Sequence, residues 1–163
     1  SDDPQMNKFA RSSYGCDVAV VIQKKTSGNI QIFTNKRYGV KLFDVTQMIR
    51  AAEQKTKGDF QITDWKILSS EGTINGVPEW YFHREGQMLL NGSLTNSKVP
   101  PTRLSLKRIR SFFQIALDYQ NFPKSHIAEC KRGICTSVYN NPCEFYPYGF
   151  HRCRKIRYQM RTT

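Results

Sequence analysis

The sequence predicts an α+β fold, with an antiparallel β-sheet packed against one main α-helix, and three features of its 163 residues predict it. Short β-rich runs alternating with period two are separated by turn clusters. Among them lies one stretch, opening at Asp44, whose apolar residues recur at 3.6-residue spacing. Ten Phe, eight Tyr and two Trp supply enough large apolar surface for a single core. The length suits one domain, residues 1–130, followed by a Cys-, Arg- and Tyr-rich C-terminal extension, 131–163, packed on it.

The elements follow in order. After a polar leader, Val18 to Ile22 and Ile30 to Thr34 read as strands joined across the turn cluster from Lys24 to Asn29. A second short run, Tyr38 to Phe43, leads to Asp44, and Asp44 with Gln47 three positions on has the form of a capping box. The helix it opens should bury Val45, Met48, Ile49 and Ala52. Its opposite face would be Thr46, Gln47, Arg50, Glu53 and Gln54, and Gly58 would stop it. The period then changes to two through Phe60, Ile62, Trp65, Ile67 and Leu68, a strand ending at the Ser69–Gly72 break. Asn75-Gly76 is a turn, Trp80-Tyr81-Phe82 an aromatic strand, Glu85-Gly86 a second turn, and Met88 to Leu94 the returning strand. Val45, Ile49, Ala52, Trp65, Ile67, Tyr81 and Leu94 are the expected core. Beyond Pro100-Pro101, Thr102 can cap a second helix to about Tyr119. Leu106, Ile109, Phe113 and Ala116 would lie on its packing side and Arg103, Lys107 and Arg110 on its basic side.

Charge is concentrated in one region. Residues 1–96 carry 12 basic and 10 acidic side chains, whereas residues 97–163 carry 13 basic and three acidic ones, so most of the net +12 belongs to the C-terminal part. Such a field attracts polyanions: RNA, DNA, anionic lipid or acidic protein faces. A solubilising surface is the plainer alternative. Tail aromatics from Phe145 to Phe150, interleaved with Arg152, Arg154, Lys155 and Arg157, suit base stacking with phosphate neutralisation and equally suit packing on the domain. No apolar run approaches the roughly 18 residues of a membrane span, so no membrane insertion is expected.

Four of five cysteines, Cys130, Cys135, Cys143 and Cys153, lie in the last 34 residues, with Cys16 far upstream. Disulfides in a secreted chain and zinc in an intracellular one both explain such crowding. The zinc alternative would use Cys130, Cys135, Cys143 and His151, although no CxxC knuckle is present; otherwise no cofactor is expected. Asn91-Gly92-Ser93 is at once a glycosylation sequon and a good turn. His83, His126 and His151 are the only histidines; a lone His on a strand or in a polar loop is more often a surface or packing residue, and His83 is the first candidate for the alternative, acid–base work in a rearranged site.

Several local motifs fall in a shared order. Tyr14-Gly15-Cys16 precedes Asp44-Val45 at the helix start, then Trp65-Lys66-Ile67-Leu68-Ser69-Ser70, then an aromatic strand, Leu90-Asn91-Gly92-Ser93-Leu94-Thr95-Asn96, and finally Glu129-Cys130. Over residues 14–96, plus 129–130, this resembles the ribonuclease-like secreted effectors of powdery mildew fungi, relatives of the guanyl-specific fungal ribonucleases. The resemblance implies a Cys16–Cys130 disulfide and a microbial ribonuclease-like fold. It also implies positions for a base (Glu in the enzymes, Asp64 here), a phosphate-binding Arg (Glu79 or Trp80 here) and a general acid (His in the enzymes, Asn96 here). Asn96 cannot shuttle a proton and neither Glu79 nor Trp80 can neutralise a phosphate, so the expected protein is not an enzyme. The segment Val18–Phe43, the basic helix and the tail lie outside the family's core. The resulting expectation is a secreted fungal effector delivered into a plant host, binding RNA or host proteins, an immune receptor among them. The alternatives are an intracellular, viral nucleic-acid-binding protein with a zinc-stapled tail, and an active secreted ribonuclease.

Overall fold

A computed structural model describes residues 2–58, 64–92 and 98–117. Helix α1 (Pro4–Arg11) leads to β1 (Val20–Lys24) and β2 (Ile30–Thr34). A 3-10 turn (Lys36–Tyr38) and α2 (Phe43–Lys57) follow, then α3 (Trp65–Leu68), β3 (Gly72–Ile74), β4 (Val77–His83), β5 (Met88–Asn91) and α4 (Leu106–Leu117). The five strands form one antiparallel sheet in the order β1-β2-β5-β4-β3. The fold is therefore α+β.

Register gives each face its composition. Ile22, Ile32, Leu89 and Phe82 stand opposite one another across four strands, as do Trp80 and Asn91, and this inner face is the one packed with α2. α4 packs on α2 in turn and adds Ile109, Phe112, Phe113 and Ile115 to the core. The outer face carries two rows: Val21, Phe33, Met88 and His83, then Gln23, Gln31, Leu90 and Tyr81. Along its β1 margin runs α1, whose Arg11 guanidinium lies 5.3 Å over the Phe33 ring.

Several expectations change at this level. The N-terminal leader is helical through residues 4–11, opened by Asp3, whose side chain accepts from the Gln5 N–H, and by Pro4. The first strand begins at Val20, two residues later than expected. Residues 38–43 are not a strand: Gly39, at φ 60°, closes the 3-10 turn and α2 begins at Phe43. No capping box forms. Leu42 is the N-cap, and its N–H donates instead to Oε1 of Gln87, 2.7 Å away in the β4–β5 turn, while Asp44 sits in the first helical turn. Gly58 ends the helix as expected, in the left-handed conformation.

The expected polar face of α2 is interior: Thr46, Gln47, Arg50, Glu53 and Gln54 are as buried as Val45, Met48, Ile49 and Ala52. Residues 65–68 are helical because the Asp64 carboxylate accepts from the Lys66 N–H at 2.8 Å and its carbonyl from Leu68; Leu68 is buried while Ile67 is 47% exposed. On β4 it is Trp80 and Phe82 that face the core, whereas Tyr81 is 41% exposed. The last helix starts at Leu106, not Thr102; Ser105 caps it by accepting from the Arg108 N–H, and Leu106 is exposed. The expected strand residues Phe60 and Ile62, the Trp65 side chain, Leu94 and everything beyond Leu117, including the boundary at 130, lie outside the described residues.

Candidate nucleic-acid interface

The positions that the resemblance assigns to ribonuclease chemistry have structural duties here. Asp64 is exposed and caps α3. Glu79 pairs with Lys57 at 2.8 Å, both side chains mostly covered, and Lys57 also donates to the Gly76 carbonyl, so the contact ties the end of α2 to the β3–β4 turn. Trp80 is fully buried, its indole N–H donating to Glu53 at 2.9 Å. His83 locks the β4–β5 turn: Nδ1 accepts from the Gly86 N–H at 2.8 Å, which makes it the unprotonated ring nitrogen, and a Cβ at Gly86 would stand 2.9 Å from it. No hydrogen bond or ion pair joins Asp64, Glu79 and His83 to one another. Cleaving RNA by general acid–base catalysis requires a base at the 2′-OH and an acid at the leaving 5′-oxygen of one bound substrate. Asn96 lies outside the described residues.

Two buried charges that pattern reading placed at the surface organise this side of the molecule. The Arg50 guanidinium donates to four carbonyls: Leu68 at 3.0 Å, Ser70 and Trp80 at 2.9 Å, and Gly72. Burial pushes its pKa down to about 10, and the four carbonyl dipoles stabilise the cation against that desolvation. One turn on, Glu53 accepts from the Trp80 indole, the Thr102 hydroxyl and the Arg103 N–H, pinning the segment ahead of α4. Nothing in local sequence announces either role, because every partner is at least 18 residues away.

Asn91 is completely buried, and its amide is saturated. Its nitrogen donates to the Glu79 and Pro100 carbonyls, both at 3.1 Å, while its oxygen accepts from Asn29 at 3.1 Å and the Thr102 N–H at 2.9 Å. A glycan must be attached to that nitrogen. That nitrogen is therefore not free for glycosylation in this fold, where Asn91 is the last residue of β5 and Gly92 follows at φ 74°; Ser93 lies outside the described residues.

Pinned in this way, the segment presents Arg103, and α4 presents Lys107 and Arg110. All three side chains are exposed, and among the described residues no carboxylate pairs with any of them. Lys107 and Arg110, three residues apart, share one face of α4, and Arg103 precedes that helix in the segment held by Glu53. The other expected phosphate contacts, Arg152, Arg154, Lys155 and Arg157, lie outside the described residues, as do Cys130, Cys135, Cys143 and His151. Cys16 is exposed. Among the described residues no cluster of three His, Cys, Asp or Glu side chains is close enough to hold a metal, and no helix is long and apolar enough to cross a membrane. Comparison of the chain with protein-family models, curated proteins and solved structures finds no match.

Proposed function

We propose that this chain is a ribonuclease-like pseudoenzyme, a secreted fungal effector that acts in a plant host by binding single-stranded RNA. The observation that carries this reading is the fate of the catalytic positions: Asp64 caps a helix, Glu79 is ion-paired and Trp80 is buried against Glu53. Side chains committed to support in this way do not converge as an acid–base pair. The exposed cations Arg103, Lys107 and Arg110 support a phosphate-tracking surface, which positions a strand without reading its sequence.

The test has two parts. The purified protein is expected to leave single-stranded RNA intact between about pH 4.5 and 8, the range in which carboxylate and imidazole pairs operate. RNA binding should weaken with salt, with log K falling by about 0.7 per decade of salt for each phosphate neutralised, so the triple variant R103Q/K107Q/R110Q should flatten the slope by about 2. Cleavage lost on changing Asp64 or His83 would overturn the pseudoenzyme assignment, and equal binding by wild type and triple variant would remove RNA from the α4 surface. A second reading, docking on a host protein such as an immune receptor, is supported by Met6, Phe9 and Tyr14, which are 50%, 55% and 94% exposed.

A further inference from the structure

The β4–β5 turn links the outer face of the sheet to α2 through hydrogen bonds that begin at a titratable ring. His83 ends β4 opposite Met88, in the outer row with Val21 and Phe33, and its Nδ1 accepts from the Gly86 N–H at 2.8 Å. The approach is close: a Cβ at Gly86 would stand 2.9 Å from Nδ1 and 3.0 Å from the Met88 methyl. Gln87 comes next, buried and at φ 45°, a backbone conformation that a residue with a side chain keeps only when its surroundings hold it. Its amide donates to the Arg84 carbonyl and accepts from the Leu42 N–H at 2.7 Å, while its backbone carbonyl accepts from the Thr34 hydroxyl at 3.0 Å. The residue bonded to His83 is thus the immediate neighbour of the one that caps α2.

We propose that this turn is an acid-released latch on α2: protonating the His83 imidazole expels the Gly86 N–H from Nδ1, and the loosened turn withdraws Gln87 from the Leu42 N–H. A neutral imidazole has one acceptor nitrogen and an imidazolium has none, so protonation and the Gly86 bond exclude each other. The bond is therefore present at about pH 8 and lost as pH falls through the titration of the ring, histidine being the side chain that ordinarily titrates between about pH 5 and 8. Charged groups surround the ring on several sides. Its own turn supplies Glu85 and Arg84, whose guanidinium lies 5.3 Å over the Phe43 ring. Glu71, exposed, comes level with His83 when the Gly72–Phe82 pairing is continued by one residue. β5 and β2 present Met88 and Phe33, the latter under Arg11 of α1, and Asp44 lies in the first turn of α2. Among the described residues no ion pair reaches His83, so no fixed counter-charge replaces the lost bond. The device stands whatever the protein binds, since every group in it belongs to the fold.

The experiment is an NMR titration of the full, 15N-labelled chain from about pH 8 to about pH 5. The amide resonances of Gly86 and Leu42 should move with the same midpoint as the His83 ring. Protection of the Leu42 N–H from hydrogen exchange, corrected for the intrinsic rate, should fall about fivefold, the equivalent of one hydrogen bond. His83→Asn offers an acceptor oxygen in place of Nδ1 and does not titrate, so Leu42 should stay protected across the whole range. His83→Leu offers no acceptor and should show the acid-state protection already at about pH 8. A Leu42 resonance that stays still while the His83 ring titrates overturns the latch, because the turn then holds without the ring. One that moves equally in His83→Asn overturns it too, because another group, Asp44 first, then senses the acid. The wild-type titration decides the first of these outcomes even if a variant fails to fold.

Discussion

Helices α1 and α2 invert the usual rule in opposite directions. α2 carries Arg50, Glu53, Gln47 and Gln54, yet is buried on every side through its middle ten residues; α1 carries Met6 and Phe9 facing solvent, while its one buried side chain is Asn7. The difference lies in the partners. Each charge on α2 meets backbone groups or side chains delivered by α3, β3, β4 and the segment before α4, so its desolvation is compensated. α1 attaches through polar contacts: Arg11 donates to the Thr34 carbonyl, and Asn35 and Gln23 donate to the carbonyls of Arg11 and Asp3. Side-chain chemistry alone does not assign a face; the availability of partners does.

If that contrast is right, the most damaging change lies in the charged interior of α2. Arg50→Met would leave four carbonyls without their donor and should lower stability by roughly 3–5 kcal/mol, the cost of breaking a buried charge network; urea unfolding measures it, and a loss below about 1 kcal/mol would return Arg50 to the surface. Next comes Glu53→Gln, which keeps the shape but turns an amide toward three donors. About 2 kcal/mol is expected by the same measurement, with hydrogen exchange increasing at the Arg103 N–H because that group donates to the Glu53 carboxylate. Gln87→Ala removes the distant cap of α2 and should cost about 1 kcal/mol, a value typical of lost caps. Retention of full stability in a thermal melt would mean water serves Leu42 equally well. The smallest effect belongs to α1 and the outer face: Phe9→Ser and Tyr81→Ala should each fall within about 0.5 kcal/mol of wild type. A large loss from Tyr81→Ala would restore the burial that its aromatic run suggests and reverse the register of β4.

The legible part of the fold is local. The hairpin turn at 24–29, the reach of α2 and its stop at Gly58, the turns at Asn75-Gly76 and Glu85-Gly86, and the packing face of Ile109 and Phe113 on α4 all follow from turn chemistry or from spacing within one element. α1 was hidden because a helix this short, opened by Asp3-Pro4 and attached by polar contacts, has no apolar stripe pointing inward. At the candidate site, the shared exposed face of Lys107 and Arg110 was legible from their spacing, whereas Arg103 lies ahead of α4 and is placed by the bond from its N–H to Glu53. The duties of Glu79, Asn91 and His83 were not, since each is defined by a partner contributed by another element or by the far side of a turn.

By itself, then, the sequence determined an α+β chain with an antiparallel sheet, one central helix and a second, basic one, because periodicity and turn residues act over a few neighbours. Only the tertiary structure decided which side of β4 is inside and that the polar side of α2 is buried as well. Trp80-Tyr81-Phe82 permits two registers that satisfy alternation equally. The choice between them fell to a carboxylate on α2, Glu53, that can accept the indole N–H of Trp80 in the interior while the Tyr81 hydroxyl stays in water. Hydrogen-bond satisfaction across 27 residues of chain is a property of the folded whole, and no window of sequence contains it.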